Sequence, residues 1–271
     1  MKSQDVERFV AVVGLPRSGT TVLTALLDAH PRVCLYYEPW NASRKNPPPV
    51  PEDLDALLGW LAARFRFAPD PDTRIVGFKE TTILPDSTRW AVETVDRIAA
   101  RCPTSVVWIY RDPILCLLSK IEGARKWWSN PDARFSEEVL VAYLREAGPA
   151  LRALQALAER HGGWLVQYEA LAREPGRLLP VLMTGLGTSF DPDQLEYHRA
   201  GPQPHRVMGD VEVARAPAPV TAEREAVRRR EADALAPIVG RVLGRPEFGW
   251  VCELSARLRA RDPISRLGGA A

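Results

Sequence analysis

The feature that most restricts this chain is the run VAVVGLPRSGTTVLTALL near its start. An apolar, β-branched stretch enters a short loop bracketed by Gly14 and Gly19, and a helical period begins immediately after it. A strand that turns this tightly into a helix aims several backbone N–H groups and the positive end of the helix dipole at one point, which makes an anion site. The G-x-x-x-x-G spacing is that of a nucleotide phosphate loop, yet Thr20 and Thr21 stand where such a loop carries lysine and a hydroxyl residue. The missing positive charge sits inside the loop, at Arg17. One basic residue and the two hydroxyls of Thr20 and Thr21 fit a 5′-phosphate that carries one further anionic group. The run holds no obvious metal ligand. A glycine turn without any ligand is the alternative; the agreement of strand, loop and helix weighs against it.

The rest of the chain repeats the strand–helix alternation. Short apolar or β-branched runs at 9–13, 33–37, 75–78, 106–110 and 164–168 suit buried strands of a mostly parallel sheet. Helical periods at 20–29, 54–67, 87–100, 113–121 and 137–160 lie between them. The expected fold class is α/β: a P-loop-type three-layer sandwich with about five strands and helices on both faces. All 271 residues are read as one domain. Segment 42–51, ASRKNPPPVP, reads as an exposed loop. Segment 201–219, rich in Pro, Gly and Ala, reads as a long loop that covers a nucleotide or substrate, ahead of a C-terminal helical segment over 222–271 that opens with a helix at 222–242. No internal repeat is visible.

Charge narrows the partners. A net charge of +2 excludes a globally basic nucleic-acid binder. The basic residues are nonetheless uneven, 31 Arg against 5 Lys, an excess that combines compositional drift with a use for anion-clamping forks. The run Arg228–Arg230 is flanked by Glu223, Glu225 and Glu231, which reads as a solvated helix face. Cys34, Cys102, Cys116 and Cys252 lie far apart without metal-ligand spacing, so neither a disulfide framework nor a metal site is expected. The start is too charged for a signal peptide, and no apolar run reaches the roughly 18 residues of a membrane span. A cytoplasmic location, with no nucleic-acid or membrane partner, is the expectation; the oligomeric state is not legible.

Three further residues stand at carboxyl ends of expected strands, where open α/β sheets gather their ligands. Arg111 follows 106–110, where a magnesium-binding acid would be wanted in a kinase, and precedes Asp112–Pro113, a good helix start. A salt bridge to Asp112 or Glu80 is its structural alternative. Lys79 ends 75–78, and a lysine at a buried strand end is rarely left without an anion. Glu38 ends 33–37 beside Tyr36, Tyr37 and Trp40, and is either a surface carboxylate before Pro39 or a general base. Glu80 faces the other side of the strand and is the weaker base. Tyr37, Trp40, Trp127 and Trp128 are aromatic candidates for an acceptor pocket, or equally core residues.

PRSGTT, followed by LLDAHP and an acidic residue, resembles the 5′-phosphosulfate loop of sulfotransferases that use 3′-phosphoadenosine-5′-phosphosulfate (PAPS). The run PRSGTTVLTALLDAHPRVCLYYE most resembles the tyrosylprotein sulfotransferases and related bacterial enzymes. The likeness is close over roughly the first 40 residues and recurs in short motifs to about residue 175. It implies that Arg17, Ser18, Gly19, Thr20 and Thr21 hold the 5′-phosphosulfate, and that Arg111 and Ser119 clamp the ribose 3′-phosphate. A basic residue that the tyrosylprotein enzymes carry one turn later is Gly123 here, with Arg125 a candidate substitute. Tyr168 would lie near the adenosine, with Glu169 structural. HRVMGD (205–210) resembles the loop that folds over the nucleotide, which singles out Arg206, Gly209 and Arg215. Glu38 falls 21 residues after Arg17, where the tyrosylprotein enzymes have a catalytic glutamate, and Lys79 would bridge the sulfate and the leaving phosphate. The activity so implied moves a sulfuryl group from PAPS to a phenolic or glycosidic hydroxyl of a small molecule, with PAP (3′-phosphoadenosine-5′-phosphate) as product and no metal. Peptide tyrosine sulfation, a P-loop nucleotide kinase and a non-catalytic nucleotide-binding protein are the alternatives.

Overall fold

The computed structural model describes residues 3–40, 53–200 and 222–267. Five strands run parallel: β1 (Arg8–Gly14), β2 (Val33–Tyr37), β3 (Ile75–Thr81), β4 (Thr104–Tyr110) and β5 (Trp164–Gln167). They lie in the order β2-β3-β1-β4-β5, and β6 (Ile264–Arg266) closes the β5 edge in antiparallel register. The expected five strands are therefore present and a sixth joins them. Three residues, Ile-Ser-Arg, hold too little apolar pattern to be read as a strand.

Ten helices are described: α1 (Thr20–Asp28), α2 (Leu54–Phe65), α3 (Pro85–Ala99), α4 (Pro113–Trp127), α5 (Glu137–Arg160), α6 (Tyr168–Arg173), α7 (Pro175–Gly185), α8 (Ala222–Ala234), α9 (Ala236–Leu243) and α10 (Gly249–Arg259). Side chains alternate across β1. Phe9, Ala11 and Val13 enter a core shared with α2, α3, α5 and α10, whereas Val10 and Val12 enter one shared with α1, α6 and α7. Burial of both sheet faces is what makes the strands near-continuous apolar runs. The three-layer α/β expectation holds.

Element ends differ from expectation for local reasons. The helix read over 222–242 is broken at Leu235, because Pro237 lacks an N–H and its ring would clash with the carbonyl four residues earlier. α4 runs six residues past its expected end, through the polar stretch Glu122–Lys126, whose composition hid the apolar period. Tyr168 opens α6 instead of ending β5.

Candidate functional site

Each parallel strand delivers one candidate at its carboxyl end: the Gly14 loop after β1, Glu38 after β2, Lys79 near the end of β3, Arg111 after β4 and Tyr168 after β5. The chain steps outward to β2, returns through β3 and continues beyond β1 to β4, so β1 flanks the point where the winding reverses. That switch is where open α/β sheets form their ligand crevice.

The loop is shaped by two residues with positive φ, Arg17 at 71° and Gly19 at 97°. Left-handed backbone costs a non-glycine residue roughly 1 to 2 kcal/mol, so surrounding contacts must hold Arg17 there. The Arg17 carbonyl accepts a hydrogen bond from Arg111 Nη1 at 3.0 Å, and its Nε donates to Ser119 Oγ at 3.2 Å. Gly19 is required by space as well as by angle: a Cβ there would lie 2.1 Å from Cδ2 of Tyr168. Gly19 is the N-cap of α1 and offers no side-chain cap, so the first N–H groups of the helix face the loop. Ser18 Oγ is buried and has no hydrogen-bond partner among the described residues. A buried hydroxyl of this kind is costly unless something answers it.

On the β3 side, Lys79 is 1% exposed. Its Nζ lies 2.7 Å from Glu38 Oε1, 3.1 Å from Thr21 Oγ1 and 5.4 Å from the Tyr37 ring centroid. Tyr37 and Lys79 are register partners, so the glutamate that follows β2 meets the lysine of β3 directly. Glu38 itself has positive φ, 49°, and donates its N–H to the Lys79 carbonyl at 2.8 Å. Of the four non-glycine residues with positive φ among those described, two are thus Arg17 and Glu38. Thr81 was not singled out in the sequence, yet its Oγ1 donates to Glu38 Oε1 at 3.4 Å. Its position two residues after Lys79 puts both on one strand face, and that period was readable. Glu80 faces the other way and accepts the Trp40 N–H at 3.0 Å, which pins the turn that follows Glu38.

On the β4 side, Arg111 is buried, and its guanidinium lies 4.5 Å from the Tyr168 ring centroid. Its carboxylate partner is neither Asp112 nor Glu80 but Glu225 of α8, at 2.5 Å. The acidic and basic residues around Arg228–Arg230 are accordingly not all on a solvated face. Glu225 and Arg228 are buried, and Arg228 pairs with Glu122 of α4. A charge run read from sequence alone gives the average fate of such residues, and here a helix face carries two of them inward. Arg125 donates to the Ala133 carbonyl and is exposed, so it does not fill the place of a base beside Gly123. Asp112 caps α4 through the Ile114 N–H, and the half-buried Glu169 carboxylate accepts the Asp112 N–H at 3.1 Å. Burial raises the Glu169 pKa, the Asp112 N–H opposing it.

The aromatic candidates separate. Trp40 is fully buried, 5.1 Å from the ring centroids of Trp60 and Phe78 and 5.4 Å from Trp90. It is a core residue and not an acceptor platform, since an apolar ring beside a strand end is drawn inward when the opposite helices offer partners. Tyr37 is buried under the Lys79 ammonium. Trp128 is 53% exposed just beyond α4, and Trp127 is the last residue of that helix. Arg206, Gly209, Arg215 and the segments 42–51 and 201–219 lie outside the described residues. No described helix is long and apolar enough to cross a membrane. No group of three or more His, Cys, Asp or Glu among the described residues is arranged to hold a metal ion.

The strand order, the glycine-bracketed loop and the uncapped helix start define a protein of the phosphate-loop α/β class. The particular branch follows from comparison: the sulfotransferase family matches residues 10–192, and the chain belongs to that family. Among solved structures it is similar to the sulfotransferase domain from the curacin biosynthetic pathway, at 14% identity over 94% of this chain and 98% of that one, with a TM-score of 0.56. It is also similar to the sulfotransferase domain from the Synechococcus PCC 7002 olefin synthase, at 15% identity over 84% and 95%, with a TM-score of 0.50. These likenesses show the shared fold. No curated protein sequence matches the chain.

Proposed function

We propose that this chain is a single-domain sulfotransferase that moves a sulfuryl group from PAPS to the hydroxyl of a small phenolic or glycosidic acceptor. The observation that carries the reading is the contact of Lys79 with both Glu38, at 2.7 Å, and Thr21 of the phosphate loop, at 3.1 Å. One buried ammonium joins a carboxylate suited to take a proton to a loop suited to hold a phosphate. The residues present fit the donor. The unpartnered Ser18 hydroxyl and the first N–H groups of α1 together offer an anion several donors, and the Tyr168 ring packs directly against Gly19 beside them.

In this reading Arg17, Ser18, Gly19, Thr20 and Thr21 hold the 5′-phosphosulfate, and Arg111 and Ser119 hold the 3′-phosphate, with Tyr168 beside the adenosine. Glu38 takes the acceptor's proton as its oxygen attacks sulfur. Lys79 and Arg17 neutralise the charge that builds on the departing phosphate oxygen, a contribution of about 3 kcal/mol each by comparison with a single oxyanion donor. Strand order supports the orientation. Glu38 and Arg111 follow β2 and β4, on opposite sides of the loop, and these strands lie three spacings or about 14 Å apart, so a nucleotide charged at both ends would lie across it.

Thermal melting tests the reading, because a ligand that binds only the folded chain raises the midpoint. PAP is expected to raise it without magnesium. A rise with ATP and magnesium, and none with PAP, would overturn the proposal in favour of a kinase.

A further inference from the structure

Glu225 is buried in the very place where the 3′-phosphate clamp should meet its ligand. α8 packs on α4 and α6, the helices that follow Arg111 and carry Tyr168. Its Glu225 puts Oε2 at 2.5 Å from Arg111 Nη2, with the two side chains only 8% and 6% exposed. One turn on, Arg228 reaches Glu122, three residues past Ser119 on α4. Glu225 and Arg228 are i and i+3 and share a helix face, so α8 is held to the clamp by two ion pairs of opposite sense.

The fit at Arg111 is incomplete. Glu225 Oε1 and Arg111 Nε are both buried and lack a hydrogen-bond partner among the described residues. A guanidinium fork satisfies a carboxylate best through two parallel bonds, and this pair makes one. Meanwhile Arg111 is fixed from its other sides by the Arg17 carbonyl and the Tyr168 ring. The fork is therefore presented in place, and its resident anion saturates it only in part.

We propose that Glu225 is an internal stand-in for the ligand's 3′-phosphate: it occupies Arg111 in the free protein and is displaced when a 3′-phosphorylated nucleotide binds. This inference rests on the donor reading above. The resident carboxylate keeps a buried cation from standing unpaired, and it sets a threshold for ligands. A nucleotide with a 3′-phosphate competes for Arg111, whereas one with only a 5′-phosphate leaves the pair intact. Apparent affinity for the first class is reduced by the fraction of molecules in which Glu225 holds the clamp.

Calorimetric titration of PAP and of AMP into the wild-type chain and Glu225→Gln is the test. The substitution is expected to tighten PAP binding about tenfold or more, as the competing state is removed, and to leave AMP binding within about twofold. Should Glu225→Gln not yield folded protein, Glu225→Asp carries the same comparison, since its carboxylate is one methylene short of Arg111. Unchanged or weaker PAP binding in the variant would overturn the inference and make Glu225 a positioning residue for Arg111. An equal gain for AMP would overturn it too, because the gain would not depend on the 3′-phosphate. Failure of PAP to bind either protein would refute the donor reading itself, an outcome distinct from equal binding to both.

Discussion

Replacing Glu38 by Gln tests the proposed chemistry most directly, because the pair it belongs to gives the substitution effects of opposite sign. Lys79 is almost wholly buried, and its ionic partner among the described residues is Glu38, whose side chain is 18% exposed. Removing one member of a buried ion pair usually costs 3–5 kcal/mol, since the other charge is left uncompensated. Two features reduce that figure here: water reaches Glu38, and the Gln carbonyl still accepts from Lys79 Nζ. A loss of about 2 kcal/mol is expected, which for a chain of this size lowers the melting midpoint by about 4 °C. In the proposed reading PAPS supplies an anion to the uncompensated Lys79 charge, so saturating PAPS should recover much of that loss, and PAPS affinity should not fall.

Turnover should move the other way. An amide cannot take the acceptor's proton, and general base catalysis contributes about 10² to 10⁴ in rate. The assay is PAP release from PAPS with a phenolic or glycosidic acceptor recovered from a substrate screen, with binding measured separately by titration. The expected variant binds PAPS at least as well as wild type and turns over about 10²-fold or more slowly. A variant that keeps wild-type turnover removes Glu38 as the base. One that loses PAPS affinity shows that the pair serves binding, and that Lys79 needs its carboxylate to be placed.

Two other substitutions follow from the same geometry. Gly19→Ala combines a φ of 97° with a Cβ that would overlap the Tyr168 ring, so a loss of about 2 kcal/mol in denaturant unfolding and at least tenfold weaker PAP binding are expected; unaltered PAP affinity would show that the ring–loop contact is irrelevant. His30 has its pKa lowered from 6.5, first by burial, and its Nδ1 accepts the Arg32 N–H, a bond that only the unprotonated nitrogen can make. As pH falls through 6.5 the unfolded chain therefore takes up the proton first and stability declines, so His30→Gln should flatten that part of a stability–pH curve measured by urea unfolding. An identical slope in the variant would place the acid sensitivity elsewhere.

What could be read in advance divides by the range of the interaction. The five parallel strands, α1 and the full extent of α5 announce themselves in local apolar periods, and Gly14, Arg17 and Gly19 in one contiguous run. Lys79 and Glu38 were legible as strand ends, which is a topological inference; their 2.7 Å contact needed the β2–β3 register. Trp40 misled because an aromatic residue beside a strand end has the same composition whether it faces a cleft or Trp60, Phe78 and Trp90. Glu225 was invisible as a site residue for a different reason. Its partner is 114 positions away, and no period within α8 marks which of its many charges turns inward.

That last residue also explains why the net charge of +2 says so little about the site. Three cations, Arg17, Lys79 and Arg111, converge on one end of the sheet, two of them buried. A folded chain cannot leave such charges without partners, because the cost of desolvating each is several kcal/mol. The fold therefore carries its own anions into the crevice, Glu38 against Lys79 and Glu225 against Arg111. Whole-chain charge then sums to almost nothing at the point where the local potential matters most. The two carboxylates differ in what they can do next. Glu38 stands at 18% exposure, within reach of water, which suits the proposed encounter with an acceptor's hydroxyl. Glu225 is buried between α8 and Arg111, and the exchange proposed for it is with another anion on the same guanidinium. A site built to bind a charged ligand tightly must first be stable without it; in the proposed reading Glu38 meets that need while also serving as the base, and Glu225 meets it by yielding its place to the ligand.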